Sequence, residues 1–484
     1  MRRMRIASGV LCAFALSAGP ICASQPDPNA PEQVLSLAEA VRLALVNNLN
    51  LLATVDVVQG AQISEQVAES RFNFKVTPSY ARGIGEQSVV DQRFGLEVTK
   101  LLPLGTTVTG SYRSDAASNQ LGNFNNSIVG FGMTQPLLRG FGKKTTEFGL
   151  ENSRRSRQGA ERNLDLSRQR LAVDVVASYY NIVRQQGLLD VADGSLTRNR
   201  ELLRASEARL EVGLASKLDV FRAELQLSQA EDDLILRNEA LELAFDAFKF
   251  NLGFDPWERV SLEIVEPEFQ PIDVDIDALT ELALRNRLEV REERDRIDDA
   301  RRAQVVSKQS LLPQLDLNVR YEQRGIGDSL GSSFNFQDSA FNVFLSTSYA
   351  LDRTNERASF ALSQIDVDAR RRQLKLTEYN VANEVRAAAR SVLRVGKSIV
   401  LQERNIDFAE KQMRLATLRY QRGLASNFDI IDAENNLIRA RSNYVSLVTD
   451  YHVAQIQLKR VSGTLDVDKE FAPGNSLPSA RHHP

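Results

Sequence analysis

Residues 144–211 and 354–421 contain no proline, and each stretch repeats an apolar side chain at every seventh position. In the first the series is Val175, Ile182, Leu189, Leu196, Leu203 and Leu210; in the second it is Val385, Val392, Ile399, Ile406, Met413 and Tyr420. A sustained heptad specifies helices packed as in a coiled coil. About 65 residues at 1.5 Å rise reach roughly 100 Å. Helices of that length cannot be buried in a compact domain, so they must project. Each pattern resumes after a short turn, Gly213-Leu214-Ala215-Ser216 or Gly423-Leu424-Ala425-Ser426. The returning series are Val220, Leu227, Leu234, Leu241, Phe248 and Ile430, Leu437, Tyr444, Tyr451, Leu458. Alanines at the complementary seam position, among them Ala223, Ala230, Ala244, Ala433, Ala440 and Ala454, let the helices approach closely.

The turns belong to a longer correspondence. Leu37–Ala61 lies on Ile276–Ala300 in constant register, Asp219 pairs with Asp429, and Gly253 pairs with Gly463. Residues 35–253 and 277–463 therefore share one plan, and a period this long is a duplicated domain and not a solenoid. The expected organisation is a leader over 1–23, a first repeat over 24–275, a second over 276–463 and a tail over 464–484. Each copy opens with a helix, Leu35 to Ser70 and Asp277 to Ser310, and then changes period.

The segment that follows alternates. Leu315, Leu317, Val319 and Tyr321 are interleaved with Asp316, Asn318, Arg320 and Glu322; Phe341, Val343, Leu345, Thr347 and Tyr349 return. The first copy shows Phe72, Phe74, Val76 and Tyr80, then Val129, Phe131 and Met133. Side chains two apart share a strand face. An apolar face opposite a polar one suits a barrel wall between lipid and water, and equally a half-buried strand of a soluble sandwich. The first copy alone carries two further strands, Arg93 to Leu102 and Thr106 to Arg113, about Pro103-Leu104-Gly105. They read either as a surface hairpin or as an extra strand pair in the wall.

The N-terminus tips this choice towards a membrane. Arg2, Arg3 and Arg5 precede a short apolar run, Ile6 to Ala18, and small residues near Ala23 offer a cleavage site. That is the pattern of a secretory leader. Both cysteines, Cys12 and Cys22, lie within it, which removes thiol catalysis, disulfides and Cys-ligated metal from the mature chain. No later apolar run reaches the roughly 18 residues of a spanning helix, so an exported chain of this kind stays soluble or crosses as β-structure. The formal net charge of -3 lacks the basic face that nucleic-acid binding requires. The histidines are His452, on a heptad helix and expected to be packed or solvated, and His482 and His483 in the tail. Neither a zinc site nor a nucleophile–His arrangement is expected, and no cofactor is implied. The acidic pair Asp298-Asp299 sits on a helix charged all round and reads as solvated surface.

Several motifs in this order carry a resemblance: Leu49 after Asn47-Asn48, Gln135-Pro136-Leu137-Leu138-Arg139-Gly140 leaving a strand, and Leu312-Pro313-Gln314-Leu315 entering one. The most specific are the two turns, from Arg209 to Asp219 and from Arg419 to Asp429. With them the chain resembles the TolC-like outer membrane efflux proteins over nearly its whole mature length. The resemblance implies a mainly α fold with membrane β: long duplicated coiled-coil helices forming an α-helical barrel, and a transmembrane β-barrel built by a trimer. Four strands per protomer would make a 12-stranded wall, and 18 if the extra hairpin joins it. Residues about 140–152, 254–276 and 464–484 correspond to a mixed belt around the helices, where Trp257 is expected to pack. Implied partners are two further copies, outer-membrane lipid, a periplasmic membrane fusion (adaptor) protein and an inner-membrane pump, proton-driven or ATP-driven.

The same resemblance assigns candidate sites. Gly213, Leu214 and Ser216, with Gly423, Leu424 and Ser426, match tips that meet the adaptor; helix-turn chemistry alone also explains the glycines and serines. Asp429 and Asp432, three apart on one helix face, match an acidic pair ringing the periplasmic entrance, while Asp429 is also placed to cap its helix. Asp219 is expected only to cap. Tyr420 matches a residue that holds the entrance shut. The Arg that some relatives carry in the second turn is Ala425 here, which leaves Arg422 or Arg419 as replacements. The expected function is the exit duct of a tripartite small-molecule efflux system. The alternatives are a type I protein-secretion duct or, in a different class, a periplasmic coiled-coil scaffold without a pore. An enzyme is the least supported class.

Overall fold

The computed structural model describes residues 33–84, 90–119, 122–265 and 267–472. The expected leader, His482, His483 and most of the tail lie outside them. Each repeat begins with two helices where the sequence predicts one. Helix α1 (Leu37–Asn47) and α2 (Leu49–Ser70) meet at a 47° bend; α6 (Ile276–Asn286) and α7 (Leu288–Gln309) repeat the break. The first break is a capping event, in which the Asn48 side chain accepts from Leu51 N at 3.1 Å. In the second copy Arg287 stands there, offers no cap, and is buried in ion pairs with Glu289 and Glu384.

The intervening chain builds one antiparallel sheet: β2 (Lys75–Ile84), β3 (Val90–Leu101), β4 (Thr107–Asn119), β5 (Gly122–Pro136), β7 (Gln314–Gly327) and β8 (Asp338–Ser348), hydrogen-bonded in that order. Two short strands, β1 (Gln33–Leu35) and β6 (Val260–Leu262), form a separate parallel pair. The open question about the first copy's extra strands is thereby answered. They are β3 and β4, paired along their whole length between β2 and β5. Register places Val76, Val98, Gly110, Phe131, Tyr321 and Phe341 in one row across all six strands. The row beside it runs Pro78, Leu96, Tyr112, Val129, Gln323 and Ser339. One face is therefore apolar, and its large side chains, including Phe131, Phe341, Val343 and Leu345, are exposed. The opposite face carries Arg93, Asp115 and Arg113 in mutual ion pairs, with Arg320 near Glu322. An Arg or Lys turned to lipid at mid-membrane costs about 2–4 kcal/mol, so the apolar face is the lipid side. At 10 to 15 residues the six strands are long enough to cross. Among the described residues no single helix is long and apolar enough to do so.

From the sheet the long helices run away. The chain leaves β5 and within a few residues forms a short turn of helix, α3 (Lys143–Thr146), followed by α4 (Phe148–Glu211) and α5 (Lys217–Leu252). The second copy supplies α8 (Thr354–Gln421) and α9 (Asn427–Val461). The heptads bury their seam: Val175, Ile182, Val385, Val392 and Ile399 are sealed, as are Ala223, Ala244 and Ala433. Helix α4 packs on α5, α8 on α9, and α4 on α9, which joins the copies.

Two expectations are corrected. Residues 140–152 do not join the belt but stay at the foot of the sheet, where Gly142 N donates to Leu104 O and Gln309 Nε2 donates to Phe141 O. The chain is too short between Pro136 and α4 to reach mid-helix. Trp257 is 78% exposed and does not pack within the protomer. The belt is formed instead by β1–β6, by residues 254–265 and 267–275 and by the short helix α10 (Val467–Glu470). There Tyr179 donates to Glu263 O and Tyr451 to Gln270 O.

Candidate functional site: the helix tips and the latch behind them

Both tips close by the same backbone rule. Gly213 and Gly423 adopt φ of 77° and 75°, the left-handed region, so the chain can leave the helix without Cβ strain. Leu214 N then donates to Arg209 O at 2.8 Å and Leu424 N to Arg419 O at 2.8 Å, the six-to-one bond of a glycine-terminated helix. The returning helices start from capping boxes. Ser216 N donates to Asp219 Oδ2 at 3.1 Å, and Asp219 N to Ser216 Oγ at 3.2 Å. Ser426 N and Ser426 Oγ donate to Asp429 Oδ2 at 2.7 and 2.9 Å.

This geometry accounts for the glycines, serines and Asp219 without a partner. It does not account for Leu214 and Leu424, which are 76% and 67% exposed, or for exposed Leu218, Phe221 and Phe428 beside them.

Asp429 and Asp432 both face away from the protomer core. The backbone N–H of Ser426, then its hydroxyl, hold the Asp429 carboxyl below the usual carboxylate range. Asp432 accepts from Gln412 Nε2 and Asn436 Nδ2 at 3.4 and 3.3 Å. The first copy has Arg222 at the position of Asp432, 3.8 Å from Asp219. One copy thus neutralises its capping aspartate, while the other adds a second acid. Past Asp432 a groove of about 260 Å³ between α8 and α9 continues with the carboxamides of Gln402, Asn405, Asn436 and Asn443 and the cation Arg439.

Tyr420 lies behind the tip, 6% exposed. Its ring is covered by the Arg209 guanidinium at 3.9 Å from the centroid, and Arg209 also donates to the Tyr420 carbonyl. Its hydroxyl lies 3.3 Å from Ser206 Oγ. Asn427 Nδ2 donates to Ser206 Oγ at 2.7 Å and to Asp219 O at 2.9 Å. A buried polar set therefore ties α4 and the start of α5 to α8 and α9. Within the protomer Tyr420 is covered by Arg209 of the first copy, while Arg419 adds to the lowering of the Asp429 pKa. One layer deeper, Arg198 Nε donates to both carboxylate oxygens of buried Glu434 at 2.9 and 2.8 Å.

Sequence reasoning missed Ser206, Arg209, Asn427 and the Arg198–Glu434 pair. A partial signal was present, because the copies differ at Leu210 against Tyr420, Ser206 against Ala416 and Lys217 against Asn427, whereas Arg209 repeats as Arg419 and offers none. Among the described residues no three His, Cys, Asp or Glu side chains converge as a metal site. His452 is packed face to face on Tyr180, centroids 5.1 Å apart, and burial lowers its pKa.

Comparison with known proteins agrees with this architecture. Nodulation protein T of Rhizobium leguminosarum bv. trifolii is 22% identical over 306 residues, 62% of this chain and 64% of that protein. The chain thus spans just under two thirds of that relative's length. The alkaline protease secretion protein AprF of Pseudomonas aeruginosa is 21% identical over 466 residues, 91% of this chain and 87% of its own. Among solved structures, the outer membrane protein VceC of Vibrio cholerae superposes with a TM-score of 0.69 at 16% identity, covering 88% of this chain and 96% of that one. The family described as outer membrane efflux protein matches residues 40–253 and 279–464, both copies almost whole. With its lipid-side sheet and projecting duplicated helices, the chain belongs to the outer membrane efflux protein family and is an outer-membrane protein whose long helices reach into the periplasm.

Proposed function

We propose that this protein is the passive exit duct of a tripartite efflux system for small molecules, assembled as a homotrimer. The observation that carries the reading is the sheet: its apolar face is continuous over six strands, yet its outer strands β2 and β8 each have an unpaired edge. An open edge in lipid leaves backbone groups unsatisfied at several kcal/mol each, and further copies of the same sheet satisfy them. An adaptor docks on the exposed leucines of the tips, Leu214 and Leu424, around Gly213, Ser216, Gly423 and Ser426. An inner-membrane pump supplies the energy. Cargo crosses the outer membrane through water without covalent change.

At the entrance, Asp429 and Asp432 of three protomers form a ring of six carboxylates. Closely spaced carboxylates attract cations. Tyr420 and its clasp hold the ring narrow. Single-channel recording tests this: the Asp429→Ala/Asp432→Ala double variant is expected to lose cation preference, and unchanged selectivity rejects the ring. Photocrosslinking from position 424 is expected to capture an adaptor; no product at either tip rejects the docking surface. The second reading, a type I secretion duct, draws on the likeness to a relative named for alkaline protease secretion. The tips and wall serve either cargo, so the two readings differ in the pump and not in this chain.

A further inference from the structure

We infer that the hairpin β3–β4 enlarges the membrane pore to 18 strands, giving an outer-membrane exit of porin width above a narrow periplasmic entrance. The inference rests on the trimeric reading, and its premises are in the register. Both strands of the hairpin pair continuously, β3 with β2 from Ile84↔Val90 to Lys75↔Thr99, and β4 with β5 from Asn119↔Gly122 to Thr107↔Thr134. A hairpin lying on the surface would leave β2 to pair with β5, and it does not. The hairpin also repeats the wall's alternation. Phe94, Leu96, Val98, Val108 and Tyr112 share the apolar face, while Arg93, Glu97, Arg113 and Asp115 share the polar one. The strand directions alternate β2 to β8, so β8 of one protomer meets β2 of the next antiparallel, and an even-numbered wall closes without an edge.

Width follows from strand count. With strands about 4.8 Å apart and tilted about 40°, 18 strands close on a backbone diameter of about 36 Å, against about 24 Å for 12. Inward side chains reduce these to lumens of about 24 and 12 Å. A helical polypeptide is about 10–12 Å thick, so the narrower lumen would just admit one, whereas the wider one has room to spare. The exit in this protein therefore does not sieve by size. Selection falls to the tips, and the lumen wall carries the paired charges Arg93, Asp115 and Arg113 that the hairpin brings.

Spin labels measure the width directly. Cys12 and Cys22 lie in the expected leader, so Asn342→Cys on the polar face of β8 gives one label per mature protomer. Three equivalent points on the wall are about 31 Å apart for 18 strands and about 21 Å for 12. Double electron–electron resonance on the detergent-solubilised full-length protein is expected to give the longer distance. Removal of residues 85–121 joins β2 to β5 in the same antiparallel sense, and the distance is then expected to contract to the shorter value. The shorter distance in the unaltered chain would overturn the wide pore and leave the trimer standing. Absence of any dipolar coupling would overturn the trimeric reading and the wide pore with it.

Discussion

Tyr420 shows what single residues decide here. Its position in the heptad predicts burial, and it is buried, but its polar partners come from 211 and 214 residues away in sequence, Arg209 and Ser206. Arg209→Ala removes a ring contact and a bond to a helix-terminal carbonyl, and single-channel recording is expected to show more frequent opening. Arg198→Ala strands the Glu434 carboxylate, 2% exposed, so stability is expected to fall by about 3–5 kcal/mol, read from thermal unfolding against Arg200→Ala as the exposed control. Gly253 carries a different constraint. At φ 75° its missing Cβ would stand 2.4 Å from Asn47 O, against the break between α1 and α2, and Gly253→Ala is expected to cost more than the ~1 kcal/mol of an unhindered left-handed site. His452 makes a pH prediction. Burial holds its pKa below the ordinary value, so the unfolded chain takes up the proton first as pH falls. Stability is expected to drop below about pH 6.5, and Tm measured from pH 7.5 to 5.5 should lose part of that slope in His452→Gln.

Elements were legible in the sequence to different depths. The long helices were plain, because a seven-residue apolar step sustained from Val175 to Leu210 and from Val385 to Tyr420 has no other explanation, and Ile182 and Ile399 are sealed in the seam as the step requires. Ile399→Ala is expected to cost about 2–5 kcal/mol, checked by thermal unfolding. The break at Asn48 was hidden: no proline or glycine marks it, and it arises because Gly253 and Asn251 press on that point, Asn48 Nδ2 donating to Asn251 O at 3.0 Å. A local Asn48 cap and a tertiary contact together part the two helices there. The strands were visible through alternation, yet alternation is the same for a wall strand and a surface hairpin. Which strand pairs with which is set by long-range register, and register is not written in a single strand.

At the scale of the whole molecule, the protomer is unfinished by itself. Apolar side chains outside the seam, such as Leu362, Ile365, Leu376 and Tyr379 on α8, remain exposed, as do the edges of β2 and β8. The same surface is expected to be covered in the trimer, and Ile365→Asp is expected to shift the assembly towards smaller species in native mass measurement. Arg162, which bridges Glu292 and Asp295, and Arg157 with Glu65 form a seam of charge joining α2, α4 and α7 below the sheet. Such half-exposed pairs hold orientation more than they add stability.

By itself the sequence determined the projecting helices and the alternating strands, because each is a short-range period of 3.6 or 2 residues, and the duplication and the two tips, because each is written twice in register. The tertiary structure alone decided that the extra strands lie in the sheet between β2 and β5, and that Arg209 covers Tyr420. Those outcomes depend on side chains brought together from distant parts of the chain, where packing and hydrogen-bond satisfaction, and not local period, choose among arrangements the sequence leaves open.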